Sequence, residues 1–272
     1  MPRDLRDVAD YFLPRSSESE PGPAQPKRTG DRVLQAPPQR DPAPALPILA
    51  VPVDERDVVR AALAWNLVVE LARLGIGATL LAPAGEPPSP IWPDAGKGPI
   101  GSAVVLARAG NLSEFYRAAL DVAVTRAAEE PDGGVVVACV PPAWLHAPSG
   151  GRALLRWALV FSSTDPRDLM ESYAIAKRML NGEERAQVGV TIHGARCVAD
   201  AERAFGQVAD VSRRYLGRPL SSYGLLVDDL HIYRAIVARR PIGIEHPQSR
   251  AARALQDVAR MVLEDARKSA HA

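Results

Sequence analysis

The sequence is poor in the residues on which several classes of protein depend. It has two cysteines, Cys139 and Cys197, too few for a disulfide scaffold or a cysteine-rich zinc module. No pair of histidines or cysteines has the spacing of metal ligands, so we predict no metal site. The charged first ten residues are not followed by the apolar core of a signal peptide. There is also no apolar run of roughly 18 residues, the length from which a spanning helix is expected. We therefore expect a cytoplasmic protein whose membrane contact is peripheral at most.

Neither sign of charge is in excess. The chain has 33 Lys and Arg against 32 Asp and Glu, a formal net charge of +1. No overall field therefore draws it toward nucleic acid. One hypothesis is that six arginines of the C-terminal half form a basic patch that binds DNA or an acidic partner. The favoured interpretation is a solvated arginine-rich surface, and we do not expect DNA binding. These arginines are Arg213, Arg214, Arg218, Arg234, Arg239 and Arg240.

The N-terminal part of the chain differs in composition from the rest. Residues 14–47 hold nine of the 25 prolines and few apolar clusters, so we predict that residues 14–46 form a disordered linker. Residues 1–13 are predicted to be a short amphipathic peptide. Its apolar side chains with helical spacing are Leu5, Val8, Phe12 and Leu13. Two interpretations remain open for this peptide: a frayed end without a role, or a docking element that binds a groove on a partner protein.

Residues 47–268 alternate between apolar runs and segments of helical periodicity. The alternation predicts an α/β fold, doubly wound, with a mainly parallel sheet and helices on both faces. Predicted strands cover residues 46–53, 76–82, 103–107, 135–140, 188–193 and 222–226, with a further strand inside 153–162. Predicted helices cover residues 54–74, 113–129, 168–180, 200–216, 229–239 and 249–268, and residues 83–102 are predicted to be a loop.

Three stretches of the second half carry a family resemblance. Ser162–Lys177 reads SSTDPRDLMESYAIAK, Tyr215–Asp229 reads YLGRPLSSYGLLVDD, and Ala235–Ala252 contains RPIG and HPQSRAA. In this order they resemble the T-x-P helix, the L-G-x-x-P-x-D loop and the P-x-S-x-A start of the last helix in the MinD/ParA family of P-loop ATPases. The FlhG-like branch, which sets flagellar number and position, is the most similar. The resemblance runs from about residue 47 to residue 265 and implies a P-loop NTPase-like fold.

The same resemblance places the family's phosphate loop on a segment that lacks its chemistry. Counted back from Asn66 and Leu67, the deviant Walker motif G-K-G-G-x-G-K-[ST] falls on residues 54–61, which read DERDVVRA and contain no glycine. Glycines let successive backbone N–H groups turn toward a phosphate. Arg60 stands at the position of the phosphate-binding lysine, and Ala61 at that of the hydroxyl that binds Mg²⁺.

Carboxylates occupy the start of this segment instead. Asp54, Glu55 and Asp57 suit a helix N-terminus because they accept its free N–H groups, and they would repel a triphosphate. The family's Mg²⁺-binding aspartate is missing from residues 138–142, which read ACVPP. His193 stands where the family has an asparagine near the base, whereas Asp228 or Asp229 is retained.

These losses favour a pseudo-ATPase, a non-catalytic protein that acts as an interaction or regulatory module in the spatial organisation of the cell, flagellar number or placement included. We expect no cofactor and a protein partner, bound through the N-terminal peptide, the α/β body or both. Relatives dimerise around sandwiched ATP, so a dimer stays open. One alternative is a residual ATPase or switch that binds ATP and Mg²⁺ through Arg60. Another is an unrelated α/β enzyme with a cleft lined by Pro141, Trp144 and His193.

Overall fold

The alternating pattern of the sequence becomes an eight-stranded sheet covered by helices. The computed structural model describes residues 45–54, 56–84, 92–130, 132–146 and 150–270, which belong to one unit, Pro42–Ala272. The predicted peptide 1–13, with Leu5, Val8, Phe12 and Leu13, and the linker up to residue 44 lie outside the described residues.

Seven of the strands are parallel, and the short β3 at one edge is antiparallel to β4. The order across the sheet is β3-β4-β2-β5-β1-β6-β7-β8. The strands are β1 (Ile48–Pro52), β2 (Gly77–Pro83), β3 (Gly96–Lys97), β4 (Ser102–Ala107), β5 (Gly134–Val140), β6 (Trp157–Ser163), β7 (Gln187–Ala195) and β8 (Ser221–Val227).

Helices cover both faces of the sheet. They are α1 (Val58–Arg73), α2 (Leu112–Glu129), α3 (Pro166–Gly182), α4 (Val198–Leu216), α5 (Leu230–Ala238), α6 (Ile242–Glu245) and α7 (Arg250–Ala270). The doubly wound prediction is confirmed. Two short elements were missed: β3 lies within residues 83–102, predicted as a loop, and α6 lies between two predicted helices.

Each face of the sheet has its own hydrophobic core. Residues of α1 and α7 pack with Leu49 and Val51 of β1 on one face, and residues of α2, α3 and α4 pack around Ala50 on the other. Because successive side chains of a strand point to opposite faces, the continuously apolar β1 is buried between the two layers, as expected for a central parallel strand.

The last helix belongs to the core. Leu255, Val258 and Val262 of α7 are buried in the cluster that contains α1. None of the helices in the described part of the chain combines the length and apolar character needed to cross a bilayer.

The parallel pairing of the strands produces one edge of the sheet at which strands end and helices begin. Strands β1, β6, β7 and β8 all end at the same edge of the sheet, and the helices α1, α3, α4 and α5 begin there. The crevice at the carboxyl ends of the strands is where open α/β sheets bind ligands. We call this side of the molecule the carboxyl edge.

Candidate functional site

The turn that joins β1 to α1 uses its own backbone N–H groups. Asp54 accepts the N–H of Arg56 through its side chain (3.0 Å) and the N–H of Asp57 through its carbonyl (3.0 Å). Asp57 then caps α1: its Oδ1 accepts the N–H of Arg60 (2.9 Å), and its carbonyl accepts the N–H of Ala61 (3.0 Å). A phosphate cradle needs such N–H groups turned toward the anion. Together with Val58, whose N–H donates to the carbonyl of Arg56 (3.1 Å), five N–H groups of this turn and the helix start donate to the chain itself.

The predicted carboxylates of the helix start therefore have different roles. Asp57 caps α1, as the sequence predicts, whereas Asp54 closes the preceding turn. Glu55 lies outside the described residues.

The guanidinium of Arg60 is buried in a network of acceptors. Only 3% of the residue is exposed. Its Nε donates to the carbonyl of Phe161 (2.9 Å), its Nη1 lies 3.2 Å from Oδ2 of Asp57, and its Nη2 donates to Asp168. Further contacts reach Oε1 of Glu171 and Oγ of Ser172, both at 3.3 Å. The guanidinium of Arg60 is thus compensated by carboxylates of the same chain.

Asp168 links three elements at the carboxyl edge. One carboxylate oxygen accepts from Arg60 of α1, and the other accepts the N–H of Ser163 at the end of β6. Its own helix, α3, is capped by Asp165, which accepts the N–H of Arg167 (2.9 Å). No motif in the sequence distinguishes Asp168, Glu171 or Ser172 as site residues. A carboxylate in the first turn of a helix is usually explained by the helix dipole alone.

His193 lies beside this network. It is on β7, paired with Ser163 of β6, and is mostly buried. Burial lowers the pKa of His193; the negative charge of Asp168 opposes this shift, and the positive charge of Arg60 adds to it. Burial of His193 therefore favours the neutral form of the imidazole beside the ion-pair network.

The cavity next to His193 is small. Its volume is about 10 Å³, and Val59, Gly194, Asp228 and Tyr233 are among its lining residues. Such a volume holds about one water molecule. Asp228 faces Tyr233, whose pKa is raised by burial and by that carboxylate.

The neighbouring positions offer few reactive groups. Ala61 is buried, and its carbonyl accepts the indole N–H of Trp92 (2.9 Å). Cys139, on β5, is buried, and burial raises the pKa of its thiol. The part of the chain that the structure describes contains no group of three His, Cys, Asp or Glu side chains arranged for a metal ion.

Two of the arrangements considered from the sequence are wrong. Pro141 and Trp144 follow β5, which is three strands, or about 14 Å, from β7 with His193. Trp144 packs against Phe115 instead, with ring centroids 5.6 Å apart. The cleft proposed for an unrelated enzyme is therefore not formed by these three residues.

The six arginines do not form one patch either. Arg213 and Arg214 lie in the last turn of α4, just before β8 begins, whereas Arg234 lies in α5, after β8 ends. The two helices also cover opposite faces of the sheet: Ala235 of α5 is buried in the core of α1 and α7, whereas Val208 of α4 is buried in the other core.

Comparisons with known proteins extend the fold assignment. No family model matches the chain, and neither does any curated protein. Solved structures do. The MinD cell division ATPase of Pyrococcus furiosus aligns with a TM-score of 0.57 and 13% identity, over 80% of this chain and 98% of that one. MinD in the MinC:MinD complex of Aquifex aeolicus gives 0.57 and 12%, over 80% and 96%. A ParA family ATPase of Chlorobium tepidum gives 0.54 and 11%, over 79% and 98%. The chain has the α/β fold of the MinD and ParA ATPases.

Proposed function

We propose that this protein is a pseudo-ATPase of the MinD/ParA fold, which acts as a protein-interaction or regulatory module in the spatial organisation of the cell, for example in the placement of flagella. The observation that carries the proposal is that Arg60 is buried and paired with carboxylates of its own chain. A lysine that binds phosphate must present an uncompensated cation to its ligand. Arg60 is buried and paired with Asp57 and Asp168.

The surroundings of Arg60 support the same proposal. The turn before α1 donates its N–H groups internally, Ala61 has no hydroxyl for Mg²⁺, and residues 138–142 contain no carboxylate where the resemblance to the family implies one. A triphosphate at this place would have to displace the carboxylates of Asp57 and Asp168 from Arg60. It would then still lie close to these two negative charges. That like-charge contact is unfavourable in a partly buried site.

An interaction role is supported by exposed apolar side chains at the carboxyl edge. Met170 of α3 is 73% exposed and Leu230 of α5 is 60% exposed, both near the starts of their helices. Other large apolar residues exposed near the starts of these helices are Val58, Val198 and Tyr233. Such side chains are enriched where proteins bind other proteins. The MinD structure in complex with MinC supports the expectation of a protein partner for this fold.

Nucleotide binding and turnover test the first half of the proposal. We expect calorimetry with Mg-ATP and Mg-ADP at up to millimolar concentration to detect no Mg²⁺-dependent binding, and a phosphate-release assay to detect no turnover. The double variant Arg60→Lys/Ala61→Thr, which restores the family's residue types, should gain neither, because the turn still lacks glycine. Mg²⁺-dependent hydrolysis by the wild-type protein would replace this proposal with the residual ATPase.

Photo-crosslinking in the native host tests the second half. A photoreactive amino acid at Leu230 should capture a defined protein, whereas the same amino acid at Val124, a 39% exposed position on α2, should not. Equal labelling from both positions would contradict an interface at the carboxyl edge.

A further inference from the structure

Helix α5 is apolar on two faces, and the protein covers only one of them. The inner face packs against the core that contains α1 and α7. Its residues are Ile232, Ala235 and Ile236. Leu230, Tyr233 and Val237 recur at intervals of three and four residues, a spacing that places them together on the outer face. We call these three residues the α5 stripe.

The α5 stripe is strongly exposed. Leu230 is 60%, Tyr233 48% and Val237 85% exposed. Apart from His231 and Arg234, the residues of α5 are apolar or aromatic. A helix that is apolar on all sides is normally buried on all sides. We therefore expect another surface to cover the outer face of α5.

The two ends of the stripe carry charges of opposite sign. Asp228 lies just before the helix and faces Tyr233, and Arg239 lies just after the helix. Both are exposed, and neither forms an ion pair within the described residues. The neighbouring Arg240 differs, because it is paired with Glu245 at 3.2 Å. The outer face thus runs from an unpaired carboxylate, over an apolar stripe about 10 Å long, to an unpaired guanidinium.

This order of groups is complementary to itself when a second copy of α5 lies antiparallel to the first. A two-fold axis between Tyr233 and Arg234 gives this arrangement. Leu230 of each copy then meets Val237 of the other copy, and the two apolar halves cover each other. The tyrosine ring meets the exposed guanidinium of Arg234, a contact that cation–π attraction favours.

The charges at the ends select the antiparallel direction. In this direction Asp228 of each copy meets Arg239 of the other, and a two-fold axis makes every such contact twice. A parallel pair would place like charges opposite each other at both ends. An anionic membrane would attract Arg239 but repel Asp228, so the charge pattern favours a second copy over a lipid surface.

We propose that two copies of this protein associate through the α5 stripe, antiparallel and without a nucleotide. The resemblance to the MinD/ParA family implies a dimer around sandwiched ATP, whereas this contact uses side chains of α5 and needs no ligand. Leu230 also belongs to the surface that we propose as a partner interface, so in this respect the dimer rests on the proposed function.

Sedimentation equilibrium of the purified full-length chain tests the dimer. Without nucleotide, from micromolar to submillimolar concentration, we expect a reversible equilibrium between one and two copies. Val237→Glu should weaken the association at least about tenfold, because the interface would bury two unpaired carboxylates. The matched control is Val124→Glu, at an exposed position of α2, which should leave the association unchanged.

A charge exchange tests the antiparallel direction. Asp228→Arg and Arg239→Asp should each weaken the association, because each opposes like charges at both ends of the pair. The double variant Asp228→Arg/Arg239→Asp should recover the wild-type affinity. Arg239 has a φ of 53°, a conformation that aspartate tolerates better than most residues, so the exchange should leave the fold intact. Circular dichroism of each variant checks the fold.

The dimer is overturned if the chain stays monomeric, if association requires Mg-ATP, or if Val237→Glu and Val124→Glu weaken it equally. An absence of recovery in the double variant would contradict the antiparallel pairing. A monomeric chain whose position 230 crosslinks to a different protein in the native host would remove the dimer and leave the proposed function standing. A nucleotide-free dimer that hydrolyses ATP would do the reverse.

Discussion

Replacing Arg60 by methionine tests whether this side chain is a structural cation. Methionine keeps the length and apolar part of the side chain but removes the guanidinium. In the variant, Asp57 and Asp168 lose their shared counter-ion, and the carbonyl of Phe161 loses a donor. The fold would then contain two carboxylates close together, neither of which is fully solvated.

The expected loss of stability follows from burial. Removing one partner of a buried ion pair costs about 3–5 kcal/mol, because an uncompensated charge is left behind. The side chain of Arg60 is 4% exposed, but those of Asp168 and Asp57 are 22% and 26% exposed, and Asp168 keeps the N–H of Ser163. Water therefore compensates part of the loss, and we expect the lower limit, about 3 kcal/mol. For a body of this size, the melting temperature should fall by about 6–12 °C.

Urea denaturation followed by tryptophan fluorescence measures this loss. The control is Arg167→Met, a neighbouring exposed arginine that forms no ion pair within the described residues, and it should change the free energy of unfolding by less than about 0.5 kcal/mol. In a double-mutant cycle, Asp168→Asn should cost much less in the Arg60→Met background than in the wild type. If Arg60→Met costs no more than Arg167→Met, Arg60 is not held by this network and would be free to bind an external anion.

Three further predictions concern other buried groups. The wild-type protein should lose stability as the pH falls below about 6.5, because burial lowers the folded-state pKa of His193 and the unfolded chain therefore takes up the proton first. In His193→Gln this pH-dependent loss of stability should be absent. Gly189→Ala should destabilise by about 1–3 kcal/mol, because its Cβ would overlap the tyrosine ring on β8, whereas Gly206→Ala, in open space on α4, should be neutral or stabilising; equal effects would contradict this packing. A thiol reagent at pH 8 should modify Cys197, which is exposed, and reach the buried Cys139 only after denaturation; rapid double labelling of the native protein would be inconsistent with the structure.

The regular elements were predictable because each carries a period of its own. The strand at 135–140 and the helix at 113–129 were predicted to within one residue of the observed β5 and α2. Two residues of β3 and four residues of α6 are too short to show a period, and tertiary contacts hold them in place. The N–H of Ile242 in α6, for example, donates to Asn66 on α1 (2.7 Å).

At the candidate site, only the contacts between residues close in sequence could be predicted. The cap that Asp57 provides for Arg60 spans three residues and follows from helix chemistry. The partners of Arg60 on β6 and α3, Phe161 and Asp168, are 101 and 108 residues away. Residue order alone does not state which side chains meet across two crossovers. The positions of Pro141 and Trp144 relative to His193 were wrong for the same reason, because the strand order places β1 and β6 between their strands.

The charges at the carboxyl edge also explain how this fold can be stable without a nucleotide. A helix that begins at the end of a central strand presents partial positive charge there, and an anion at this place is favourable. In this chain the anion is the carboxylate of Asp57, and the cation that an external phosphate would otherwise need is occupied by Asp168. Both requirements are met within one polypeptide, and this is the physical basis of the proposal that the protein works without a nucleotide. Under that proposal, selection acts on the surface of this edge, where Met170 and Leu230 are exposed, rather than on the loop that joins β1 to α1.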